Sequence, residues 1–146
     1  MKVISKSIEI AAPKERIWDV LLQDKYGRIW MDIFSPGSHA LTDWELGGKV
    51  IFTDGSGGGI FGRIIIKEPY KIISVEYDGL LKNNLEDTTS EEAKPWIGTH
   101  ETYRLTEKEN ITLLEIESDM IDDYYDMMAE HWDKALLKIE ELATSA

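Results

Sequence analysis

Ile121-Asp-Asp-Tyr-Tyr-Asp-Met-Met-Ala-Glu-His-Trp-Asp-Lys-Ala-Leu-Leu-Lys-Ile-Glu-Glu-Leu142 is the stretch that decides how the rest of the chain is read. Ile121, Tyr125, Met128, Trp132, Ala135, Leu136, Ile139 and Leu142 recur at spacings of three and four residues. That period predicts a long amphipathic helix with one apolar stripe. Asp119, Asp122, Asp123 and Asp126 gather at its start. Hard cations take such oxygens, but the glycine and spaced glutamate of an EF-hand are missing, so the cluster reads as acids placed at the positive end of a helix dipole. The stripe needs an apolar partner surface, and the partner has to lie upstream.

Upstream, the period changes to two. Residues 40–45, 49–53, 60–67, 71–78, 99–106 and 111–118 alternate or are β-branched, which predicts six strands. Gly47-Gly48, the tip at 54–59, Glu68-Pro69-Tyr70 and Glu107-Lys108-Glu109-Asn110 supply turn chemistry between them. Separations this short leave no room for crossover helices, so the strands pair antiparallel as a meander. Residues 79–98 lose the period and read as an acidic loop or a ragged short helix ending at Pro95-Trp96.

Before the meander, Ile4, Ile8 and Ile10 share one face of a strand over 3–10, with Lys6 the exception. Pro13 then suits a first helical turn. Ile17, Trp18, Val20, Leu21 and Leu22 follow as the apolar side of a short helix. Tyr26-Gly27 is expected to break it, with a second short helix over 28–34. The predicted fold class is α+β: strand, two short helices, six-stranded antiparallel meander, and a long C-terminal helix packed across the sheet. The 146 residues are read as one domain, 1–146.

Composition narrows the function. Hydrophobic residues make up 42% and charged residues 30%, a globular balance. Sixteen Lys+Arg against twenty-eight Asp+Glu leave a net charge of −12. Residues 1–78 carry 10 basic and 11 acidic side chains, while 79–146 carry 6 and 17. Such a chain repels phosphate backbones and anionic headgroups, so neither nucleic acid nor membrane is an expected partner. With no cysteine, thiol catalysis and zinc thiolate sites are excluded. The start has no apolar leader, and a cytoplasmic location is the expectation.

Three stretches carry a family resemblance. Ile10-Ala-Ala-Pro-Lys-Glu-Arg-Ile-Trp18 is close to an "I-x-A-P-x-E-x-V-W" opening. Leu46-Gly-Gly-Lys-Val-Ile-Phe52, running on to Asp54-Gly55, is like a "G-G-x-F…D-G" hairpin. His131-Trp132…Leu136…Leu142 is similar to a final-helix "G-W…L…L", with His131 in place of the glycine. With these, the chain resembles the START-like (SRPBCC) helix-grip superfamily, and within it the family of the activator of the heat-shock-protein-90 ATPase. The resemblance implies a bent sheet gripping the last helix with a cavity between them. It also implies a hydrophobic ligand, or a chaperone partner, and no cofactor.

Site residues follow from facing. Glu101 shares a strand face with Tyr103 and Leu105, which should point inward. It either sits at the sheet rim in water or enters the cavity as a carboxyl whose pKa is raised. Nine aromatics, Trp30, Phe34, Trp44, Phe52, Tyr77, Trp96, Tyr103, Tyr124 and Trp132, are available for walls or for packing. The expected frame is Phe52, Tyr77 and Tyr103 facing Tyr124 and Met128, with the 54–59 tip and Trp96 at the mouth. His131 reads as a boundary residue of the helix or as a polar contact for the ligand. The glycine-rich tip lacks a following helix and a GK[ST] ending, so it cradles no phosphate. No catalytic residue and no metal ligand is assigned. Three readings stand: non-catalytic binding of a small hydrophobic or amphipathic molecule, a chaperone-regulating interaction module, and a small cyclase- or hydrolase-like enzyme using Glu101 as acid or base.

Overall fold

The computed structural model describes residues 1–145. Its elements are β1 (Lys2–Ile10), α1 (Lys14–Leu22), α2 (Asp24–Trp30), β2 (His39–Leu41), β3 (Lys49–Thr53), β4 (Gly59–Glu68), β5 (Ile72–Lys82), β6 (Leu85–Asp87), β7 (His100–Lys108), β8 (Ile111–Met120) and α3 (Tyr125–Thr144). The sheet runs β1-β8-β7-β5-β4-β3-β2, every pair antiparallel, with β6 hairpinned onto the end of β5. This is the α+β arrangement read from the sequence. The first strand closes the sheet beside the last, pairing Lys2 with Met120 and Ile10 with Thr112.

Three boundaries differ from expectation. Gln23 breaks the helical pair in an extended conformation (ψ 132°), whereas Gly27 lies buried inside α2. Asp24 opens the new helix and pairs with Arg28 one turn on, at 2.7 Å, so the helix runs straight through the glycine. The strand expected over 40–45 ends at Leu41, because Trp44 adopts a left-handed backbone (φ 58°). Within 79–98, β5 continues to Lys82, and Asn83-Asn84, both at positive φ, turn it into β6. Two successive left-handed residues are the signature of a type I′ hairpin turn, which asparagine tolerates.

Curvature comes from irregular register. The β4–β5 ladder slips between Phe61 and Gly62 and again between Ile64 and Ile66. Such bulges bend a sheet and increase its twist. Gly62 is required at the first: a Cβ there would lie 2.1 Å from the Glu76 carbonyl oxygen.

α3 lies against the concave side, with Trp132, Ala135, Leu136, Ile139 and Ala143 buried. Ile121, expected to begin the stripe, precedes a short 3-10 turn (Asp122–Tyr124) that leads into the helix. Lys6, the charged exception on the inner face of β1, reaches Asp133 of α3 at 3.0 Å. Its aliphatic stem thereby covers the core while its charge finds an acid. At the other end of α3, Arg16 of α1 donates to the Leu142 carbonyl at 2.9 Å and to the Tyr26 hydroxyl at 2.8 Å. A cation at a helix C-terminus satisfies orphan carbonyls and the negative dipole end.

Two stability outcomes are expected. Ile139→Ala, which empties a fully buried position, costs about 2–5 kcal/mol in denaturant unfolding. Gly62→Ala lowers Tm far more than Gly47→Ala, whose added Cβ meets open space and costs only the left-handed strain of about 1–2 kcal/mol. Equal losses would mean that backbone approach at Gly62 does not set the bend.

Candidate functional site

The grip of sheet and helix is incomplete on the β3–β5 side, and a cavity of about 450 Å³ remains there. Its walls are built from every layer. α2 and the following 3-10 turn contribute Trp30, Met31 and Phe34; β3, β4, β5 and β7 contribute Phe52, Ile60, Tyr77 and Tyr103; α3 contributes Met128 and Trp132. Alternation aims the strand residues: Ile73, Val75 and Tyr77 are buried in sequence on β5, as are Tyr103 and Leu105 on β7.

The aromatic rings support one another. Trp132 is 2% exposed and packs against Phe34 at 4.9 Å, Tyr103 at 5.9 Å and Trp30 at 6.0 Å between ring centres. Trp30 is itself fixed by donating its indole N–H to the Val20 carbonyl at 3.0 Å. Phe52 meets Tyr77 at 6.2 Å, edge to face. The Trp132 indole N–H is buried with no hydrogen-bond partner among the described residues.

Two carboxylates line this space, and their environments oppose each other. Glu101 accepts a hydrogen bond from the Tyr103 hydroxyl, and the Tyr77 hydroxyl approaches the same group. Burial pushes the Glu101 carboxyl above its ordinary range, and the hydrogen bonds from Tyr103 and Tyr77, which favour the anion, only partly offset this. Both tyrosines are pushed well above their usual range, first by burial and then by the neighbouring carboxylate. Asp54, by contrast, is held down to about 2 by the hydroxyl and backbone N–H of Ser56 and the hydroxyl of Ser35. Its Oδ1 accepts from the Ser56 N–H at 2.9 Å and its Oδ2 from Ser35 at 3.0 Å. Glu101 lies on β7 and Asp54 just after β3, three strand spacings apart, on the order of 14 Å.

The rim around Asp54 is polar. Ser35, Ser38, His39, Thr53 and Ser56 line it. His39 Nδ1 lies 2.8 Å from the Gly37 carbonyl, which only accepts, so Nδ1 is the donor of that bond. The glycine-rich tip is tethered. Thr53 donates to the Gly58 carbonyl at 2.7 Å, and the Asn84 N–H to that of Gly57 at 2.9 Å. Strands flank it on both sides.

Of the residues singled out from the sequence, Phe52, Tyr77, Glu101, Tyr103 and Met128 come together around the cavity. Three do not. Trp96 stacks on Tyr124 with 6.2 Å between ring centres and 22° between planes, and Tyr124 is 48% exposed, so this pair braces the start of α3 from outside. His131 sits behind the wall, edge-on to Phe34 at 6.0 Å. Sequence reading placed the 54–59 tip, and with it Asp54 and Ser56, at the mouth, and assigned no role to Ser35, Ser38 or His39. The Asp54-Gly55 and Pro36-Gly37 turns mark both rim loops, but nothing in the sequence says that the two loops meet.

Glu101 has a pH consequence. Its folded pKa is raised, so the folded state holds the proton more tightly than the unfolded chain does. The stabilisation is complete below the unfolded carboxyl value of about 4.3 and is lost as pH rises through the folded value. Glu101→Gln keeps the acceptor for Tyr103 and removes that loss. The variant is expected to melt higher than the parent at pH 7, by roughly 2–4 °C for each kcal/mol relieved. The gap narrows as pH falls towards about 4.3. Coincident melting curves at pH 7 would show that this carboxyl carries no folding cost.

Comparisons with known proteins agree with the architecture. The sequence matches no family model, and no curated protein is similar to it. Solved structures are similar in fold. The solution structure of the Aha1 dimer from Colwellia psychrerythraea has a TM-score of 0.70 at 18% identity, over 97% of this chain and 95% of that one. Protein MLL2253 from Mesorhizobium loti reaches 0.74 at 17% identity, over 99% and 100%. CalU16 from Micromonospora echinospora reaches 0.67 at 17% identity, over 97% and 76%. Identities this low speak for fold alone, and on that footing the chain has the START-like helix-grip fold.

Proposed function

We propose that this protein binds a small, largely apolar molecule in the cavity between the curved sheet and α3, without transforming it. The observation that carries the reading is the cavity itself. About 450 Å³ falls inside the range of roughly 300–1,000 Å³ that small-molecule pockets occupy. Aromatic walls supply affinity through buried area, while a few polar groups, Glu101 and the Tyr77 and Tyr103 hydroxyls, orient the guest. No helix among the described residues is long and apolar enough to cross a membrane, so a protein that carries its ligand in an internal pocket is consistent with the chain.

Native mass spectrometry after gentle purification, together with thermal shifts against a panel of apolar ligands, tests this directly. A bound mass or a saturable rise in Tm is expected; bare protein with no shift across the panel removes the reading. Ile60→Trp gives an independent check. Ile60 lines the cavity and is only partly buried, so the larger ring grows into free volume rather than into packed core. Ligand binding is expected to weaken at least tenfold while Tm holds or rises.

The likeness to the Aha1 dimer supports a second reading, a protein-interaction module that regulates a chaperone. The acidic second half of the chain offers charge for a basic partner patch. That reading expects a complex that forms at low ionic strength and dissolves in salt. A pull-down that recovers no chaperone at low salt eliminates it.

A further inference from the structure

The cavity's electrostatics point to a narrower class of guest than its apolar walls alone. Among the described residues that line it there are two carboxylates, Glu101 and Asp54, and neither lysine nor arginine. Neither acid takes part in any ion pair found among the described residues, although nine of the chain's sixteen lysines and arginines do. We propose that the ligand is a cationic amphiphile, an alkylammonium compound whose charged head sits against Glu101 among the rings of Tyr77, Tyr103 and Trp132.

Three physical arguments meet here. A cation beside aromatic faces gains from their quadrupoles, and gains more when water is excluded. Six aromatic residues (Trp30, Phe34, Phe52, Tyr77, Tyr103 and Trp132) surround this space. Second, a buried carboxyl with no basic partner is costly as an anion, and a guest cation is the partner it lacks. The two tyrosine hydroxyls near Glu101 steady the carboxylate but bring no positive charge. Third, an anionic guest such as a fatty acid meets opposition throughout. It finds no base inside, passes Asp54 at the rim, and approaches a protein of net charge −12. Asp54 and the outer surface therefore draw cations toward the mouth, while Glu101 holds them.

This inference rests on the cavity-binding reading, and the experiment separates the two. Decyltrimethylammonium, decanol and decanoate share one alkyl chain and carry charges of +1, 0 and −1. Their affinities for the full chain are measured by isothermal calorimetry below micelle-forming concentrations, with Tm recorded alongside. The ammonium compound is expected to bind at least tenfold more tightly than decanol, with decanoate the weakest. In Glu101→Gln the ratio of ammonium to decanol affinity is expected to fall to within about threefold. That variant leaves the acidic outer surface intact, so nonspecific attraction to the surface would survive in it. Asp54→Asn is expected to lower ammonium affinity by less than about threefold, because it acts at the entrance.

If decanol and decanoate bind as tightly as the ammonium compound, the charge inference fails and the cavity reading stands. If none of the three binds, both fail. A preference for the ammonium that persists undiminished in Glu101→Gln also overturns the assignment. Should that variant fold poorly, the ranking of the three probes on the unmodified protein still decides the matter.

Discussion

Trp132 is the point at which the helix, the short-helix segment and the sheet are joined. Its ring touches Phe34 and Trp30 from one layer and Tyr103 from another, while its own backbone belongs to α3. Full burial of such a ring removes on the order of 150–250 Å² from water, the largest contribution any one side chain makes. Its indole N–H has no hydrogen-bond partner among the described residues. These same rings form one wall of the cavity. Fold stability and one wall of the cavity therefore rest on a single cluster.

The cavity exists because the sheet bends unevenly. On the β1 side, α3 lies close, fastened by Lys6 to Asp133 and closed at its end by Arg16. On the β4 side, two slips of register bend the β4–β5 ladder, and the cavity lies there. A flat sheet would meet the stripe along its whole length, and Met128, which lines the cavity, would be packed as Leu136, Ile139 and Ala143 are. Gly62 shows how tightly this is determined, since the neighbouring backbone occupies the place where any side chain would begin. Asn83-Asn84 then shapes the rim from behind, because the Asn84 amide tethers the glycine-rich tip.

Much of this was legible in the sequence, and the limits have physical causes. A stripe at helical spacing and strands at period two declare themselves, because burial of one face is a local pattern. Facing was legible too: alternation alone placed Tyr103 and Glu101 on one side of β7, and that is the side on which the cavity lies. Periodicity failed at β6, where three residues beyond an Asn-Asn turn are too few to show a period and the surrounding acids hide them. It failed at Gly27, where a glycine that looks like a break is held inside a helix by its neighbours. Trp96 and Tyr124 share no element, so their stacking is a fact of three dimensions that no spacing announces. The rim formed by Ser35, His39 and Asp54 is of the same kind.

The charge of the chain separates into an outside and an inside. Outside, acids outnumber bases and the surface field is negative; the pairs that do form, such as Arg104 with Glu117 and Lys138 with Glu141, lie in water, where each is worth about 1 kcal/mol or less. Inside, Glu101 is half-buried at the cavity wall, and its hydrogen-bond partners are tyrosine hydroxyls. A carboxyl so placed has two ways to lower its energy: keep its proton or acquire a positive neighbour. Burial favours the first. Nothing in the surrounding shell supplies the second, because every further charge lining the space is also negative. On the proposed reading, the guest supplies that positive neighbour, and a glutamine at this position would hold the Tyr103 hydroxyl without attracting it.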